Sequence, residues 1–253
     1  MTLASRIGPH LPPRLLTRAT DLLYPRFEPE LGRLADFCPR GGTAVDIGGW
    51  YGPWTRRLAT RADRVVTVEP VPHLARHLRG TAPERVEVLQ AAASDHSGRA
   101  TLWLPADGRG DRGVSSLVRR EVHDATLEVA CFPLDELALS DVTLLKIDVD
   151  GSELPVLHGA EATIARERPA LFIELEVRIQ PLDPVLSLLS GLGYDGWVLP
   201  AREWCPLASF DLAEHQRRTG HVAEHGLLRR SLAPHRRYVN SVLFLPDGRT
   251  PGA

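Results

Sequence analysis

The chain contains one glycine-rich turn, VDIGGWYGPWT at residues 45–55, which joins a predicted strand (43–47) to a helical pattern. Such a turn lets backbone groups approach a ligand closely, because glycine carries no Cβ. Glu69 ends the next predicted strand, 21 residues after Gly48. An acidic side chain at that place can accept hydrogen bonds from ribose hydroxyls. The sequence therefore predicts an adenosine pocket on an α/β domain.

The spacing of the glycines indicates which adenosine cofactor fits the turn. The dinucleotide fingerprint GxGxxG needs glycines at fixed offsets, whereas this turn has Gly48, Gly49 and Gly52. Asp46, at the end of the strand, would repel a pyrophosphate and attract a charged amino group. The turn therefore favours S-adenosylmethionine over a dinucleotide such as NAD.

Composition limits the other possibilities. A chain of 253 residues that is 43% hydrophobic predicts one domain with an insertion. The net charge of −2 gives no basic field for nucleic acid. Three separated cysteines, Cys38, Cys131 and Cys205, suit reduced thiols in the cytoplasm. No apolar stretch approaches the roughly 20 residues of a membrane span, so no membrane partner is predicted.

Apolar runs alternate with helical patterns along the chain, which predicts a mostly parallel sheet with covering helices. The predicted strands are 43–47, 65–68, 86–90, 99–104, 126–131, 142–147, 170–175, 193–199 and 239–245, and the predicted helices are 55–60, 72–79, 134–139, 152–166 and 184–192.

The predicted domain organisation has two parts. Residues 1–40, rich in proline and arginine, form an N-terminal helical preamble that packs over the core, and residues 41–253 form the main domain. A glycine- and charge-rich loop is predicted at 106–113. The polar segment at about 200–237 is too long for an ordinary connection, so we interpret it as an insertion on the substrate side, a lid or a wall.

Six segments together resemble the FkbM family of S-adenosylmethionine-dependent methyltransferases. They are VDIGGWYGPWT, VVTVEP, LQAAASDHSG, CFPLDEL, LLKIDVDGSELPVLHGAE and RPALFIELE, and YVNSVLFLPD fits the last strand of the family. The resemblance implies a Rossmann-like class I methyltransferase fold, with a seven-stranded, mostly parallel sheet, helices on both faces and an antiparallel seventh strand. It also implies methyl transfer to a hydroxyl of a sugar or natural product, as in secondary metabolism.

By position, the resemblance implies a cofactor site. Asp46, Gly48 and Gly52 would hold the methionine part, Glu69 the ribose, and Asp148 would face the methyl group. The predicted cofactor-binding set is Asp46, Gly48, Gly49, Tyr51, Gly52, Thr55, Glu69, Pro70, Gln90, Ala91 and Asp148, with Gln90 and Ala91 beside the adenine. Trp50 stands where the family usually has an asparagine, so a polar contact is lost or an indole face replaces it.

Methyl transfer to an alcohol needs a group that removes its proton. Asp148, at the carboxyl end of a central strand, is the first candidate for the base, and an N-terminal cap for the next helix is the alternative. His123 is the second candidate because histidine titrates near neutrality. Glu174 is the third, and with Asp148 and Glu176 it offers oxygen ligands for Mg²⁺, although three acids without fixed spacing do not predict a metal site.

Alternatives to O-methylation remain open at this stage. The acceptor atom is an oxygen, a nitrogen, a carbon or a carboxylate, and the expected partner is a small hydroxylated molecule. S-adenosylhomocysteine is the expected product. A non-catalytic adenosine-binding partner protein is a further reading, motivated by Trp50 in the glycine turn. The sequence predicts no oligomeric state.

Overall fold

The computed structural model describes residues 13–105, 113–223 and 237–252. Its strands are β1 (Thr43–Ile47), β2 (Arg64–Val68), β3 (Val86–Leu89), β4 (Ala92–Ala93), β5 (Gly98–Pro105), β6 (His123–Phe132), β7 (Val142–Ile147), β8 (Ala170–Glu174), β9 (Tyr194–Val198), β10 (Cys205–Pro206) and β11 (Ser241–Pro246). Its α-helices are α1 (Pro13–Leu23), α2 (Pro53–Leu58), α3 (Pro72–Thr81), α4 (Glu153–His158), α5 (Glu161–Glu167), α6 (Asp183–Gly191) and α7 (Leu212–Ala223). The predicted loop at 106–113 lies almost entirely outside the described residues.

The main sheet has the order β10-β9-β11-β8-β7-β1-β2-β3. Strands β3, β2, β1, β7 and β8 pair in parallel, and β11 runs antiparallel between β8 and β9. This confirms the mixed α/β fold with a mostly parallel sheet. The described sheet has eight strands rather than seven, because the two-residue strand β10 of the predicted insertion adds an antiparallel edge. Pro206 suits that edge, where a missing N–H is tolerated.

Strand β1 is the topological switch point, because the chain proceeds to β2 and β3 on one side and β7 and β8 lie on the other. Open α/β sheets bind ligands outside the carboxyl ends of their strands at such a point. A separate sheet of β4, β6 and β5, in which β5 and β6 form an antiparallel pair, flanks the main sheet.

Residues before the sheet belong to its core. In the 3₁₀ segment Pro29–Asp36, Leu31 and Leu34 are buried, and the following Phe37 stacks on Phe172 of β8 with ring centroids 5.6 Å apart. Burial of each such side chain stabilises the fold by about 1.5–3 kcal/mol. The N-terminal part is therefore anchored from Pro29 onwards.

The helix predicted at 152–166 is two helices, α4 and α5. A Cβ on Gly159 would lie 1.9 Å from the carbonyl oxygen of Ser94, so the backbone approaches β4 there. Asp135 then accepts hydrogen bonds from the Ala162 and Thr163 N–H groups (2.9 and 2.8 Å), which caps α5. Likewise, the helix predicted at 134–139 is a 3₁₀ turn, Leu134–Leu137.

Candidate active site

The glycine turn after β1 packs directly against the chain after β7. Gly48 has φ +85°, and a Cβ there would lie 1.9 Å from the Asp148 carbonyl oxygen, so only glycine fits. Trp50 adopts φ +47°, which is uncommon for a residue other than glycine. Gly52 (φ +79°) precedes α2, which begins at Pro53. The turn therefore brings the ends of β1 and β7 together.

Most N–H groups of this turn already have protein acceptors. The Gly48 and Gly49 N–H groups donate to the Val68 carbonyl (2.9 and 3.3 Å), and the Gly52 N–H donates to the Gly49 carbonyl (2.8 Å). The Trp50 N–H donates to Glu69 Oε2 (2.8 Å). An anion-binding turn instead points such N–H groups at its ligand, so these four groups form no phosphate cradle.

Glu69 is buried at the end of β2 and supports the same turn. Its Oε1 accepts from the Val71 N–H (2.9 Å), while its Oε2 accepts from Trp50. Burial raises the pKa of Glu69 to about 7, against these two hydrogen bonds. Each oxygen keeps a second lone pair for a further donor.

Asp46 lies behind the glycine turn with 0% exposure. Its Oδ2 accepts a hydrogen bond from the buried Thr55 hydroxyl (2.6 Å). Burial raises the pKa of Asp46, while Lys146 and Thr55 oppose the shift. Asp46 and Thr55, both predicted to bind the cofactor, are thus brought together beneath the turn rather than at its surface.

Lys146, the only lysine of the chain, is the central residue that the sequence reasoning missed. Its Nζ donates to the Gly48 carbonyl (2.9 Å) and lies 3.4 Å from Asp46 Oδ1 and 3.2 Å from Asp148 Oδ2. Although burial lowers it, the surrounding carboxylates raise the pKa of Lys146 above its usual value. A lone cation inside the apolar strand VTLLKI was the available signal.

Asp148 is the most accessible member of this network, with 24% of its side chain exposed. It shares a hydrogen bond with Glu174, whose pKa is raised well above its usual value by burial and by the charges of Asp148 and Glu176. The Asn240 amide donates to both Glu174 and Glu176, the latter at 3.1 Å. Asp148 therefore lies between the Lys146 ammonium and the carboxyl of Glu174.

His123 is placed differently from the prediction. It begins β6, it is buried, and its Nδ1 accepts from the Arg120 N–H (3.1 Å). Its Nε2 lies 2.7 Å from the Val114 carbonyl, so Nε2 carries the proton. Both nitrogens hold the segment before β6, and this argues against a role for His123 as the base.

The other predicted cofactor residues line the sides of the edge. Tyr51 is buried, with its ring edge-on to Trp50 at 4.9 Å. Gln90 is exposed after β3, Ala91 is buried and Pro70 is partly buried. Tyr51 lies in the glycine turn, Pro70 follows β2, and Gln90 and Ala91 follow β3.

The N-terminal segment brings two further residues to this edge, neither of them predicted. The Tyr24 hydroxyl donates to Glu28 Oε1 (2.9 Å), and Trp54 Nε1 donates to Glu28 Oε2 (2.5 Å). Burial, followed by the charge of Asp148, raises the pKa of Glu28 to about 7. The ring of Tyr24 lies 5.9 Å from that of Trp50.

A family model described as the methyltransferase FkbM domain matches residues 42–195, which is more than half of the chain. The chain belongs to the FkbM family of S-adenosylmethionine-dependent methyltransferases. The match confirms the family that the sequence resembled, and it spans the glycine turn, Lys146, Asp148 and Glu174.

Similarity to individual proteins is more distant. Ribosomal RNA small subunit methyltransferase A of Anaeromyxobacter dehalogenans (strain 2CP-C) is 32% identical over 155 residues, and the chain spans about half (54%) of that relative's length. The FkbM methyltransferase of Methylobacillus flagellatus KT is 18% identical with a TM-score of 0.47, covering 81% of this chain and 43% of that one. An rRNA methylase of Streptococcus thermophilus is 12% identical with a TM-score of 0.42, covering 86% and 93%.

The described part of this FkbM protein shows neither a metal-binding cluster nor a membrane-spanning helix. Within residues 13–105, 113–223 and 237–252, no three histidine, cysteine or acidic side chains are arranged to hold a metal ion. None of the helices in those ranges is long and apolar enough to cross a membrane.

Proposed function

We propose that this FkbM methyltransferase transfers the methyl group of S-adenosylmethionine to a hydroxyl of a small acceptor, with Asp148 as the base. The observation that carries the proposal is the position of Asp148. It lies at the carboxyl end of a central strand, 3.2 Å from Lys146 and partly exposed, whereas Asp46 beside it is fully buried. Asp148 alone of these two can meet an acceptor.

The turn supports a sulfonium cofactor over a dinucleotide. Its N–H groups at Gly48, Gly49, Trp50 and Gly52 are already used within the protein, so a pyrophosphate would find few donors. The free lone pairs of Glu69 suit ribose hydroxyls. Glu69 and the glycine turn would therefore hold the cofactor, which supplies an electrophilic methyl group when it is bound.

Asp148 has the surroundings of a general base. The Lys146 ammonium lies 3.2 Å from its carboxylate, and Lys146 itself is held by the Gly48 carbonyl. With the cofactor bound, a hydroxyl acceptor would give its proton to Asp148 as the oxygen–methyl bond forms and the sulfur–methyl bond breaks. S-adenosylhomocysteine is the product expected to leave.

The acceptor is proposed to be a small hydroxylated molecule, of the kind made in secondary metabolism, rather than a nucleic acid or a membrane lipid. Nucleic acids need several lysine or arginine contacts to phosphates. This edge instead carries the carboxyl groups of Glu28, Asp148, Glu174 and Glu176. An amine acceptor, which needs less help from a base, is the competing reading.

The three cysteines bear on the compartment. All three are free thiols, which supports a reducing compartment, the cytoplasm.

Calorimetric titration with S-adenosylmethionine, S-adenosylhomocysteine and NAD⁺ tests the cofactor. We expect micromolar binding of the two sulfur nucleotides and none of NAD⁺. Binding of neither sulfur nucleotide would favour a non-catalytic protein.

The variant Asp148→Asn tests the base. We expect it to lower turnover at least 100-fold with S-adenosylhomocysteine affinity unchanged, while the control Asp124→Asn, at an exposed residue of β6, retains activity. Near-normal turnover of Asp148→Asn would show that Asp148 is not the base.

A further inference from the structure

The N-terminal segment is fastened over the glycine turn by contacts with two helices of the main domain. Asp21 of α1 pairs with Arg56 of α2, with the nearest atoms 2.6 Å apart. Thr17 Oγ1 lies 3.3 Å from His77 Nε2 of α3. Because α2 and α3 follow β1 and β2, these contacts hold α1 beside the carboxyl edge of the sheet.

The segment then turns so that Tyr24 and Glu28 face that edge. Glu28 has a fixed position, because the buried Trp54 donates to one of its oxygens (2.5 Å) and Tyr24 to the other (2.9 Å). Both residues are nevertheless partly exposed. Tyr24 and Glu28 are therefore immobilised but still accessible to a ligand.

Their electrostatic neighbours belong to the reaction centre. The field of Asp148 acts on both Tyr24 and Glu28, and Lys146 acts on Glu28. The ring of Tyr24 lies against Trp50, the residue that departs from the usual sequence of the family turn. Tyr24 and Glu28 thus lie at the same edge of the sheet as Asp148, beside the glycine turn.

The family match begins at residue 42, so this pair lies outside the part of the chain that the family model matches. The matched part contains Asp148, Lys146 and Glu69. Residues that discriminate between acceptors are expected outside this common set, since the common set performs the common reaction. Loops and appended segments on a rigid scaffold usually carry such differences.

We propose that Tyr24 and Glu28 form the acceptor wall of the active site and determine which hydroxylated molecule is methylated. The inference rests on the proposed methyl transfer. The phenol ring offers a flat apolar face and the carboxylate offers acceptor lone pairs, so together they bind a hydroxyl-bearing ring opposite Asp148.

The first test uses S-adenosylhomocysteine as the probe and hydrogen exchange as the measurement. Bound beside Asp148, the probe is expected to slow amide exchange at residues 24–31, where the Glu28 and Leu31 N–H groups form backbone hydrogen bonds. Slower exchange there is the expected result. Unchanged exchange at 24–31, with protection at residues 48–52 alone, would overturn the acceptor wall and leave the proposed function intact.

The second test separates acceptor recognition from cofactor binding. Tyr24→Phe keeps the ring and removes the bond to Glu28, Glu28→Gln removes the charge, and Arg26→Gln changes an exposed residue of the same segment as control. Methylation of a fixed panel of methyl glycosides and catechols is followed by mass spectrometry. We expect acceptor KM to rise at least tenfold in Glu28→Gln, with kcat and S-adenosylhomocysteine affinity within threefold of the parent.

The outcomes are distinguishable. A parent chain that binds no S-adenosylhomocysteine contradicts the proposed function itself. A parent that binds it, together with Tyr24 and Glu28 variants that match Arg26→Gln in KM and in their ranking of the panel, refutes the acceptor wall. If no panel member is methylated, the exchange measurement decides. Thermal melting of each variant checks the fold, and restored KM in Glu28→Asp would support recognition by the carboxylate.

Discussion

Replacing Lys146 by methionine should show how much the buried Asp46 charge lowers the free energy of unfolding when it has no cationic partner. Methionine has a similar length and fits an apolar strand, so the change removes the ammonium with little change in volume. Asp46 has 0% exposure, and without Lys146 it keeps the Thr55 hydroxyl as its hydrogen-bond donor. Asp148, with 24% of its side chain exposed, is instead stabilised by water.

The magnitude follows from that difference. Removing one partner of a buried ion pair typically costs about 3–5 kcal/mol, because the remaining charge is uncompensated. We assign this cost to the Asp46 pair and none to the Asp148 pair. The Gly48 carbonyl also loses its 2.9 Å donor. We therefore expect the free energy of unfolding to fall by about 3–5 kcal/mol at pH 7.

The loss should depend on pH with a definite sign. Burial raises the pKa of Asp46 in the folded protein, and loss of Lys146 removes an interaction that lowers it. Asp46 then binds a proton more tightly in the folded variant than in the unfolded chain, so its contribution to stability is fully present below the unfolded pKa of about 3.9 and is lost as pH rises through the folded pKa. The deficit relative to the parent should grow from pH 5 to pH 8.

Urea unfolding of three proteins at pH 5, 6.5 and 8 provides the assay. They are the parent, Lys146→Met and the double variant Lys146→Met/Asp46→Asn. Since the double variant has no buried charge at residue 46, we expect it to recover roughly 2 kcal/mol or more of the loss and to show a flatter pH dependence. A single variant within about 1 kcal/mol of the parent, or a double variant no more stable than the single one, would refute the reasoning.

Two further predictions concern the turn and its acid. Gly48→Ala should lower the free energy of unfolding in urea by at least about 2 kcal/mol, because φ is +85° and the new Cβ would lie 1.9 Å from the Asp148 carbonyl oxygen. The control Gly80→Ala in α3, which has open space around it, should raise the free energy of unfolding by roughly 0.5–1 kcal/mol. S-adenosylmethionine affinity, measured by calorimetry, should weaken as pH falls from 8 to 6, because the pKa of Glu69 is about 7 and the ionised carboxylate accepts stronger hydrogen bonds. Glu69→Gln should flatten this pH dependence. An unchanged slope in that variant would assign the dependence to another group.

The parallel sheet and the place of the site were predictable because their signals are local. The strand 43–47, the glycines after it and Glu69 lie close together in sequence, and the rule for parallel sheets places their ends at one edge. The eighth strand was not predictable, because a two-residue edge strand has no periodic pattern. The break at Gly159 was also hidden, since its cause is the close approach of Ser94, a contact between distant parts of the chain.

The partners of the site residues were less predictable than the residues themselves. Lys146 contacts Gly48 and Asp46 only because β7 pairs with β1. Tyr24 and Glu28 reach the site through packing of a segment with no recognisable motif. His123 was a candidate base because histidine titrates near neutrality, but Val114 and Arg120 occupy both of its ring nitrogens.

The charges at this edge of the sheet connect the fold to the cofactor. Asp46 and Asp148 lie 3.4 and 3.2 Å from the Lys146 ammonium, and burial raises the pKa values of Glu28, Asp46 and Glu174 at the same edge. A pyrophosphate brought here would add negative charge to an already acidic, poorly hydrated region, whereas a sulfonium and an ammonium group would relieve it. The carboxyl groups of this edge therefore favour a cationic cofactor.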